Sequence, residues 1–250
     1  MAEWLLALDD TDVVGTRGTG GLARMLAAEL ERRGFGRRGI TRHQLLVHPS
    51  IPYTSHNSAN CLGLEADGDD LANQLAWICR FVVEQCPDGS DPGVCIARAA
   101  EVSEAVSAFG RRAQQEPVRQ AEAVELARRE GVTLAGLGGT HDGVIGALAA
   151  VGLRASGADG RFVELGAIRE IDGRVQVRRL LEAGADAVEC EEARQPQPED
   201  WVETLGWARP RLVGGRAVLI VERSNADGVD WIVADRRRHR AGGGVDSAVE

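Results

Sequence analysis

The chain has 250 residues, of which 44% are hydrophobic and 27% are charged, and its formal net charge is −9. This composition is typical of a globular protein with a sizeable core. The acidic balance argues against broad, sequence-independent binding to nucleic acid, which depends on clustered basic residues. No apolar run approaches the ~20 residues of a membrane span, and the N-terminus lacks a signal-peptide pattern, so we expect a cytoplasmic protein with no membrane partner.

All 29 basic residues are arginine. A Walker-A loop and a protein-kinase fold each need a lysine on the nucleotide phosphates, so both are excluded. The five cysteines form no C-x-x-C pair, which predicts free thiols rather than a zinc site or a disulfide framework. Any handling of ATP must therefore use metal ions, backbone amides and arginine.

Apolar periodicity predicts strands alternating with helices, which indicates an α/β or α+β protein. The predicted strands cover residues 3–8, 43–49, 59–66, 93–98, 161–169, 216–223 and 230–236. The predicted helices cover residues 19–33 and 69–86, one or two segments within 101–130, and a segment that begins in the glycine-rich stretch 137–153. Residues 190–201 are polar and contain prolines, which predicts a linker or exposed loop.

The first strand ends in an acidic cluster that is followed by a glycine-rich turn. The aspartates are Asp9, Asp10 and Asp12, and the glycines are Gly15, Gly18, Gly20 and Gly21. Carboxylates suit Mg²⁺, while glycine amides and the following helix N-terminus suit phosphate. The alternative is an Asx turn with a helix cap, in which Asp12 and Thr19 only satisfy backbone donors.

A second glycine loop, "GGTHDGVIGALAAVG", follows the same logic, with Gly143 and Gly146 at the start of a helix of small residues. The glycines and alanines of this loop allow either close helix packing or the approach of a phosphate. Two such loops in one chain are compatible with a ligand that is bound between them. His141 and Asp142 suit an acid–base or metal pair, or a helix cap. The basic run "RRRHR" (236–240) indicates either a binding site for RNA or a phosphorylated ligand, or a stretch of charges exposed to solvent.

Four motifs in order resemble the isoleucine-tRNA 2-agmatinylcytidine synthetase family over about residues 4–168. They are "ALDDTDVVGTRGT", "HPSIPYTSHNSANCLGLE", "DPGVCIA" and "GVIGALAAVG". The resemblance implies a kinase-like ATP-binding module that activates a cytidine carbonyl oxygen by phosphorylation, after which the amine of agmatine displaces it. We expect only this module here, without the OB-type domain and zinc ribbon of full-length members.

The resemblance also implies roles for individual residues. Asp9, Asp10 and Asp12 would bind Mg²⁺ and handle phosphate as catalytic residues, and Thr19 would accept or contact the γ-phosphate. Cofactor-binding glycines would come from both loops, namely Gly15, Gly18, Gly20, Gly21, Gly143 and Gly146. The segment "IPYTSHN" would supply the substrate contacts Pro52, Tyr53, His56 and Asn57.

Departures from the family keep three functions open. Thr54-Ser55-His56 stands where the family has a basic segment, and Gly18 and Gly20 flank Thr19 where the family has Cys and Thr. The leading hypothesis is an ATP- and Mg²⁺-dependent phosphotransfer enzyme acting on a small-molecule or nucleoside-like substrate. The alternatives are a tRNA cytidine-modifying enzyme with a separate RNA-binding partner, and a non-catalytic nucleotide sensor or scaffold.

The expected domain organisation is a kinase-like module over residues 1–189, a ferredoxin-like part over 190–240 and a disordered tail over 241–250. The sequence leaves the oligomeric state open.

Overall fold

The computed structural model describes residues 1–54 and 56–234. The run 236–240 and the tail 241–250, for which predictions were made above, lie outside the described residues. Contacts divide the chain into two compact units, the first spanning Met1–Gly160 and the second beginning at Arg161.

The first unit contains five strands and six helices. The strands are β1 (Ala2–Asp9), β2 (Gly36–Gln44), β3 (Ser58–Ala66), β4 (Gly93–Arg98) and β5 (Thr133–Gly136). The helices are α1 (Thr19–Arg32), α2 (Asp70–Asn73), α3 (Leu75–Gln85), α4 (Glu104–Ala113), α5 (Gln120–Glu130) and α6 (Gly143–Ala155).

The strands of this unit form an antiparallel sheet in the order β5-β4-β1-β3-β2. With α1 after β1 and α3 before β4, the inner order β4-β1-β3-β2 is the ferredoxin-like arrangement. The sequence placed such a part in residues 190–240, whereas this arrangement lies in the first unit. The register sets Asp9 opposite Gly93, and Gly93 opposite Gly136, at one end of the sheet.

Both faces of the sheet are covered by helices. Leu5 and Ala7 of β1 pack in one cluster with residues of α4, α5 and α6. Because side chains alternate along a strand, Leu6 and Leu8 point to the opposite face, where α1 contacts β3 and β2. Asp9 continues the alternation of Leu5 and Ala7 and therefore points toward the α6 face.

The second unit is formed by short strands around one short helix. They are β6 (Arg161–Glu164), β7 (Arg174–Gln176), α7 (Val177–Glu182), β8 (Ala187–Glu189), β9 (Trp201–Glu203), β10 (Arg211–Val213), β11 (Arg216–Arg223) and β12 (Trp231–Val233). β10 and β11 form a hairpin whose turn, Gly214-Gly215, has positive φ at both residues, as a type I′ turn requires. This unit begins at Arg161 rather than after residue 189 because β6 pairs with β10 and β8 pairs with β11.

The predicted mixed α/β class is confirmed, but several boundaries differ from the sequence prediction. The strand expected at 43–49 is wrong, since β2 covers Gly36–Gln44, where three arginines hide the apolar pattern. The helix expected at 69–86 is interrupted at Gln74. Within the described part of the chain, no helix is long and apolar enough to span a membrane.

Candidate functional site

Asp9 lies at the end of β1 with its carboxylate against the first turn of α6. A methyl group added at Gly146 would overlap Asp9 Oδ2, so only glycine admits the carboxylate at this point. Burial, followed by the neighbouring charges of Asp10 and Asp12, raises the pKa of Asp9 to about 7. The acidic strand end and the second glycine loop are therefore in direct contact.

Asp10 follows in a left-handed backbone conformation with a φ of 53°. Its backbone oxygen accepts a hydrogen bond from the amide of Asp91 at 3.1 Å. Burial raises the pKa of Asp10 to about 6, aided by the charges of Asp91, Asp12 and Asp142. A non-glycine residue in this conformation costs free energy, and such residues concentrate at functional sites.

Asp12 accepts hydrogen bonds from two threonine hydroxyls. Thr19 Oγ1 lies 3.3 Å from Asp12 Oδ1, and Thr54 Oγ1 lies 3.0 Å from Asp12 Oδ2. Among the described residues, the hydrogen bonds of the Asp12 carboxylate go to these hydroxyls rather than to backbone donors of α1.

The glycines of the first loop have different surroundings. Gly15 has a φ of 86°, as a turn glycine does. Gly20 faces the side chain of Asn60 on β3, and Gly21 lies against the aliphatic part of Arg17. Gly18 precedes α1 with extended backbone, and the carboxylate of Asp12 lies beside it.

The carboxylate of Asp91, which precedes β4, accepts hydrogen bonds from the second glycine loop and so holds that loop at the end of the sheet. Its Oδ2 accepts hydrogen bonds from Thr140 N (2.9 Å), Thr140 Oγ1 (2.6 Å) and Asp142 N (3.1 Å), and its Oδ1 accepts one from His141 N (2.7 Å). Burial alone would raise the pKa of Asp91, but these hydrogen bonds hold it below its ordinary value. Gly143 at the start of α6 then packs backbone to backbone against β4.

Two buried side-chain oxygens, one between Asp10 and Asp12 in the sequence and one on β3 opposite Leu8, have no hydrogen-bond partner among the described residues. They are Thr11 Oγ1 and Asn60 Oδ1, both on residues that are 2% exposed. An unsatisfied buried acceptor is costly, and an amide oxygen together with carboxylates is a hard donor set that suits Mg²⁺ and its water shell. As placed in the described residues, no three acidic, histidine or cysteine side chains converge into one metal cluster.

The segment expected to contact substrate lies in the loop between β2 and β3. Pro52, Tyr53 and His56 are exposed, and Tyr53 is 45% accessible. Asn57 instead supports the loop, because its Nδ2 donates to Leu46 O at 2.7 Å. Thr54 connects this loop to Asp12, which brings the segment to the acidic cluster.

Sequence reasoning missed Asp91, Asn60 and Thr54. Asp91 acts on residues 49 to 51 positions away, so no local pattern shows its role. Asn60 had a usable signal, because it is a lone amide within the otherwise apolar strand "ANCLGL".

No model of a known protein family matches the chain. The chain is similar to a known protein, the isoleucine-tRNA 2-agmatinylcytidine synthetase TiaS of Methanocorpusculum labreanum. The two sequences are 33% identical over 152 residues, which cover 59% of this chain and 34% of that protein.

Two solved structures share the fold. The complex of TiaS with its isoleucine tRNA and ATP matches with a TM-score of 0.53 and 25% identity, covering 61% of this chain and 36% of that one. A tRNA fluorescent labeling enzyme matches with a TM-score of 0.52 and 26% identity, covering 60% and 36%.

This chain spans about a third of the length of these relatives. The resemblance carried by the four motifs is confirmed over 59% of the chain, and this part of the protein is a module similar to the isoleucine-tRNA 2-agmatinylcytidine synthetase TiaS.

Proposed function

We propose that this chain carries an ATP-dependent ligase module that activates a carbonyl oxygen of an RNA cytidine so that an amine displaces it. The observation that carries the proposal is the contact of the strand-end aspartates with the second glycine loop, within the region similar to TiaS. Of the functions left open by the sequence, the relative's activity favours tRNA modification over a small-molecule substrate.

The proposed reaction has two steps. The carbonyl oxygen first takes the γ-phosphoryl group from ATP, and ADP leaves. The amine nitrogen then attacks the ring carbon and loses a proton, and the oxygen leaves with the phosphate. Agmatine is the amine that the relative's name supports.

Asp9, Asp10 and Asp12 would hold Mg²⁺. When bound, Mg²⁺ neutralises phosphate charge in the transition state. The glycines of the two loops, namely Gly15, Gly18, Gly20, Gly21, Gly143 and Gly146, would let the phosphates approach the backbone.

Asp12 and Thr19 form a pair suited to phosphate transfer. Asp12 Oδ1 already accepts the hydrogen bond of the Thr19 hydroxyl. In a self-phosphorylation separate from these two steps, Asp12 would take the Thr19 proton as that oxygen attacks the γ-phosphorus of ATP and ADP leaves. Thr54 holds the other carboxylate oxygen and so fixes its direction. Pro52, Tyr53 and His56, on the same loop as Thr54, would contact the nucleoside.

The test is to incubate the protein with Mg²⁺ and γ-labelled ATP, with and without bulk tRNA and agmatine. We expect labelled protein in the wild type, none in Thr19→Ala, and label retained in Thr16→Ala, since Thr16 lies in the same loop and, within residues 1–54 and 56–234, hydrogen bonds only to Val13. We also expect ATP consumption that depends on tRNA and agmatine. ATP binding without turnover under every condition would contradict the proposal and favour the nucleotide sensor.

A small nucleoside-like substrate remains the second candidate, supported by the net charge of −9 and by Thr54 and His56 in place of basic residues. Replacing tRNA by cytidine in the same assay separates the two. ATP consumption that rises with cytidine as much as with tRNA would favour this candidate.

A further inference from the structure

Four loops of the first unit meet at the end of the sheet where β1 terminates. Asp9 lies opposite Gly93, Gly93 lies opposite Gly136, and β3 begins beside the end of β1. The loops at this end cover residues 10–18, 45–57, 86–92 and 137–142. Across these four loops the sequence has one arginine, Arg17, and no lysine. Arg17 is therefore the permanent positive charge that the loops bring to the proposed site.

The proposed reaction needs such a charge. Its transition state spreads negative charge over the oxygens of the γ-phosphoryl group, and phosphoryl-transfer sites place a lysine or an arginine on those oxygens in addition to the metal ion. The protein adds to the negative charge here, since burial and the charges of neighbouring aspartates raise the pKa of Asp10 to about 6. Because the chain contains no lysine, an arginine has to supply the balancing cation.

The guanidinium of Arg17 is available for a ligand. Arg17 is exposed, and its Nη1 donates to the thioether sulfur of Met25, which is a weak acceptor. In the part of the chain that the structure describes, Arg17 forms no salt bridge with a carboxylate, and the first turn of α1 contains no acidic residue. A phosphate can therefore recruit this guanidinium without breaking an ion pair.

The resting position of Arg17 is within reach of the phosphate-handling pair. A methyl group at Gly21 would lie 2.5 Å from Arg17 Cγ and 2.8 Å from its Cδ, so the stem of the side chain rests directly on this glycine. Arg17 precedes Thr19 by two residues, so their Cα atoms are at most about 7.6 Å apart, which an arginine side chain spans. Rotation of the side chain is enough to bring the guanidinium to a phosphoryl group beside the hydrogen-bonded Thr19 and Asp12.

We propose that Arg17 is a catalytic residue that leaves Met25 when ATP is bound and donates two N–H groups to oxygens of the γ-phosphoryl group. A planar guanidinium makes both hydrogen bonds at once. As the bond from the γ-phosphorus to the attacking oxygen forms, the bond to the bridging oxygen breaks, and ADP leaves with that electron pair. Arg17 stays protonated throughout and stabilises the charge on the γ-oxygens. The inference rests on the proposed function, because it takes ATP as the phosphoryl donor.

The first test measures ATP consumption with Mg²⁺, tRNA and agmatine. We expect Arg17→Ala to lower kcat about 100-fold or more while the KM for ATP stays within about threefold. Arg17→Lys keeps the charge but loses the forked geometry, so kcat should fall about tenfold. The matched control is Arg32→Ala, at an exposed position about 20 Å away at the other end of α1, which should change kcat less than about twofold.

The second test measures binding without turnover. Calorimetry gives the Kd of MgADP alone and of MgADP with aluminium fluoride, which imitates the phosphoryl group in transfer. We expect Arg17→Ala to change the Kd of MgADP less than about twofold and to weaken the aluminium fluoride complex about tenfold or more. Arg32→Ala should change neither Kd.

Three results would overturn the assignment of Arg17. Wild-type kcat in Arg17→Ala, or an unchanged affinity for the aluminium fluoride complex, would show that the side chain does not act on the transferring group. Equal losses of affinity for MgADP and for the aluminium fluoride complex would show a general contribution to nucleotide binding instead. In each of these cases an active wild type leaves the proposed function standing, whereas a wild type that consumes no ATP would overturn both.

Discussion

At the scale of single residues, the site concentrates unfavourable features that the rest of the fold tolerates. Asp9 and Asp10 have raised pKa values, and Asp10 and His141 have positive φ. In the part of the chain that the structure describes, the side-chain oxygens of Thr11 and Asn60 also find no hydrogen-bond partner. Each of these costs free energy in the ligand-free protein. Proteins give up stability in this way where binding recovers it.

Asp9→Asn should therefore stabilise the ligand-free protein while abolishing ATP turnover. At pH 7.5 an ionised Asp9 faces burial and like charges, which asparagine removes, so we expect a gain of about 1–3 kcal/mol. Thermal unfolding without added Mg²⁺ measures it. The control is Asp227→Asn, at an exposed position of the second unit. It should change neither the free energy of unfolding nor the rate of ATP turnover. A destabilised Asp9→Asn would contradict the electrostatic account.

The buried side chain of His43 makes the free energy of unfolding depend on pH. It is buried, with Nδ1 2.7 Å from Asp159 Oδ1 and Nε2 2.8 Å from Thr41 Oγ1, and Arg154 Nη1 lies 3.1 Å from the same hydroxyl. Burial lowers its pKa despite the Asp159 carboxylate, and the charge of Arg154 acts in the same direction. The folded state therefore keeps His43 neutral at a pH where the unfolded chain already binds a proton.

Stability contributed by neutral His43 is fully present above pH 6.5 and is lost as the pH falls below it. Between pH 7.5 and 5.5, the wild type should lose about 1 kcal/mol more than His43→Gln, which cannot titrate. Asp159 does not alter this window, because its pKa is lowered further below its ordinary value of 3.8. Denaturant unfolding at the two pH values tests the difference, and parallel losses would refute it.

At the scale of elements, α6 is the centre of the first unit. It contacts strands of the sheet on one side and packs closely on α4. Gly152 makes that approach possible, because a methyl group there would overlap Val106 O. The run of small residues in α6 is thus explained by helix packing as well as by its glycine-rich start.

Gly152→Ala should destabilise the protein by about 1–3 kcal/mol, as overpacking does. Gly20→Ala in α1 is the matched control, since the nearest atom to the added methyl is Asn60 Oδ1 at 3.6 Å, an ordinary contact. There, helix propensity should stabilise the fold by about 0.5–1 kcal/mol. Equal effects of the two substitutions on the unfolding midpoint would contradict the packing argument.

Local sequence patterns were sufficient to predict the features that depend only on residues adjacent in sequence. The acidic strand end, the loop before α1 and the start of α6 follow from residues that are adjacent in sequence. β2 and β5 were missed because arginines and glycines interrupt their apolar pattern, and their strand character comes from pairing with distant partners. The contact of Asp9 with Gly146 is likewise tertiary: the sequence suggested that the two loops hold one ligand from both sides, but it did not predict this direct contact.

At the scale of the whole molecule, the chain is two compact units that meet in sequence at residues 160 and 161. Residues 1–160 contain every candidate site residue and a core with both sheet faces covered. We expect this segment, expressed alone, to unfold cooperatively and to bind MgATP with a Kd within about threefold of the full chain. Calorimetry of the segment and the full chain tests this, and an unfolded segment would contradict it.

The hydrogen bond between Thr54 and Asp12 has a practical consequence for spectroscopy. It joins the acidic cluster to the loop that carries Tyr53, and the chain contains a single tyrosine. A ring-labelled tyrosine would therefore give one NMR signal from the loop that is hydrogen-bonded to the acidic cluster. Occupancy of the site could then be followed by titration without any substitution in the protein.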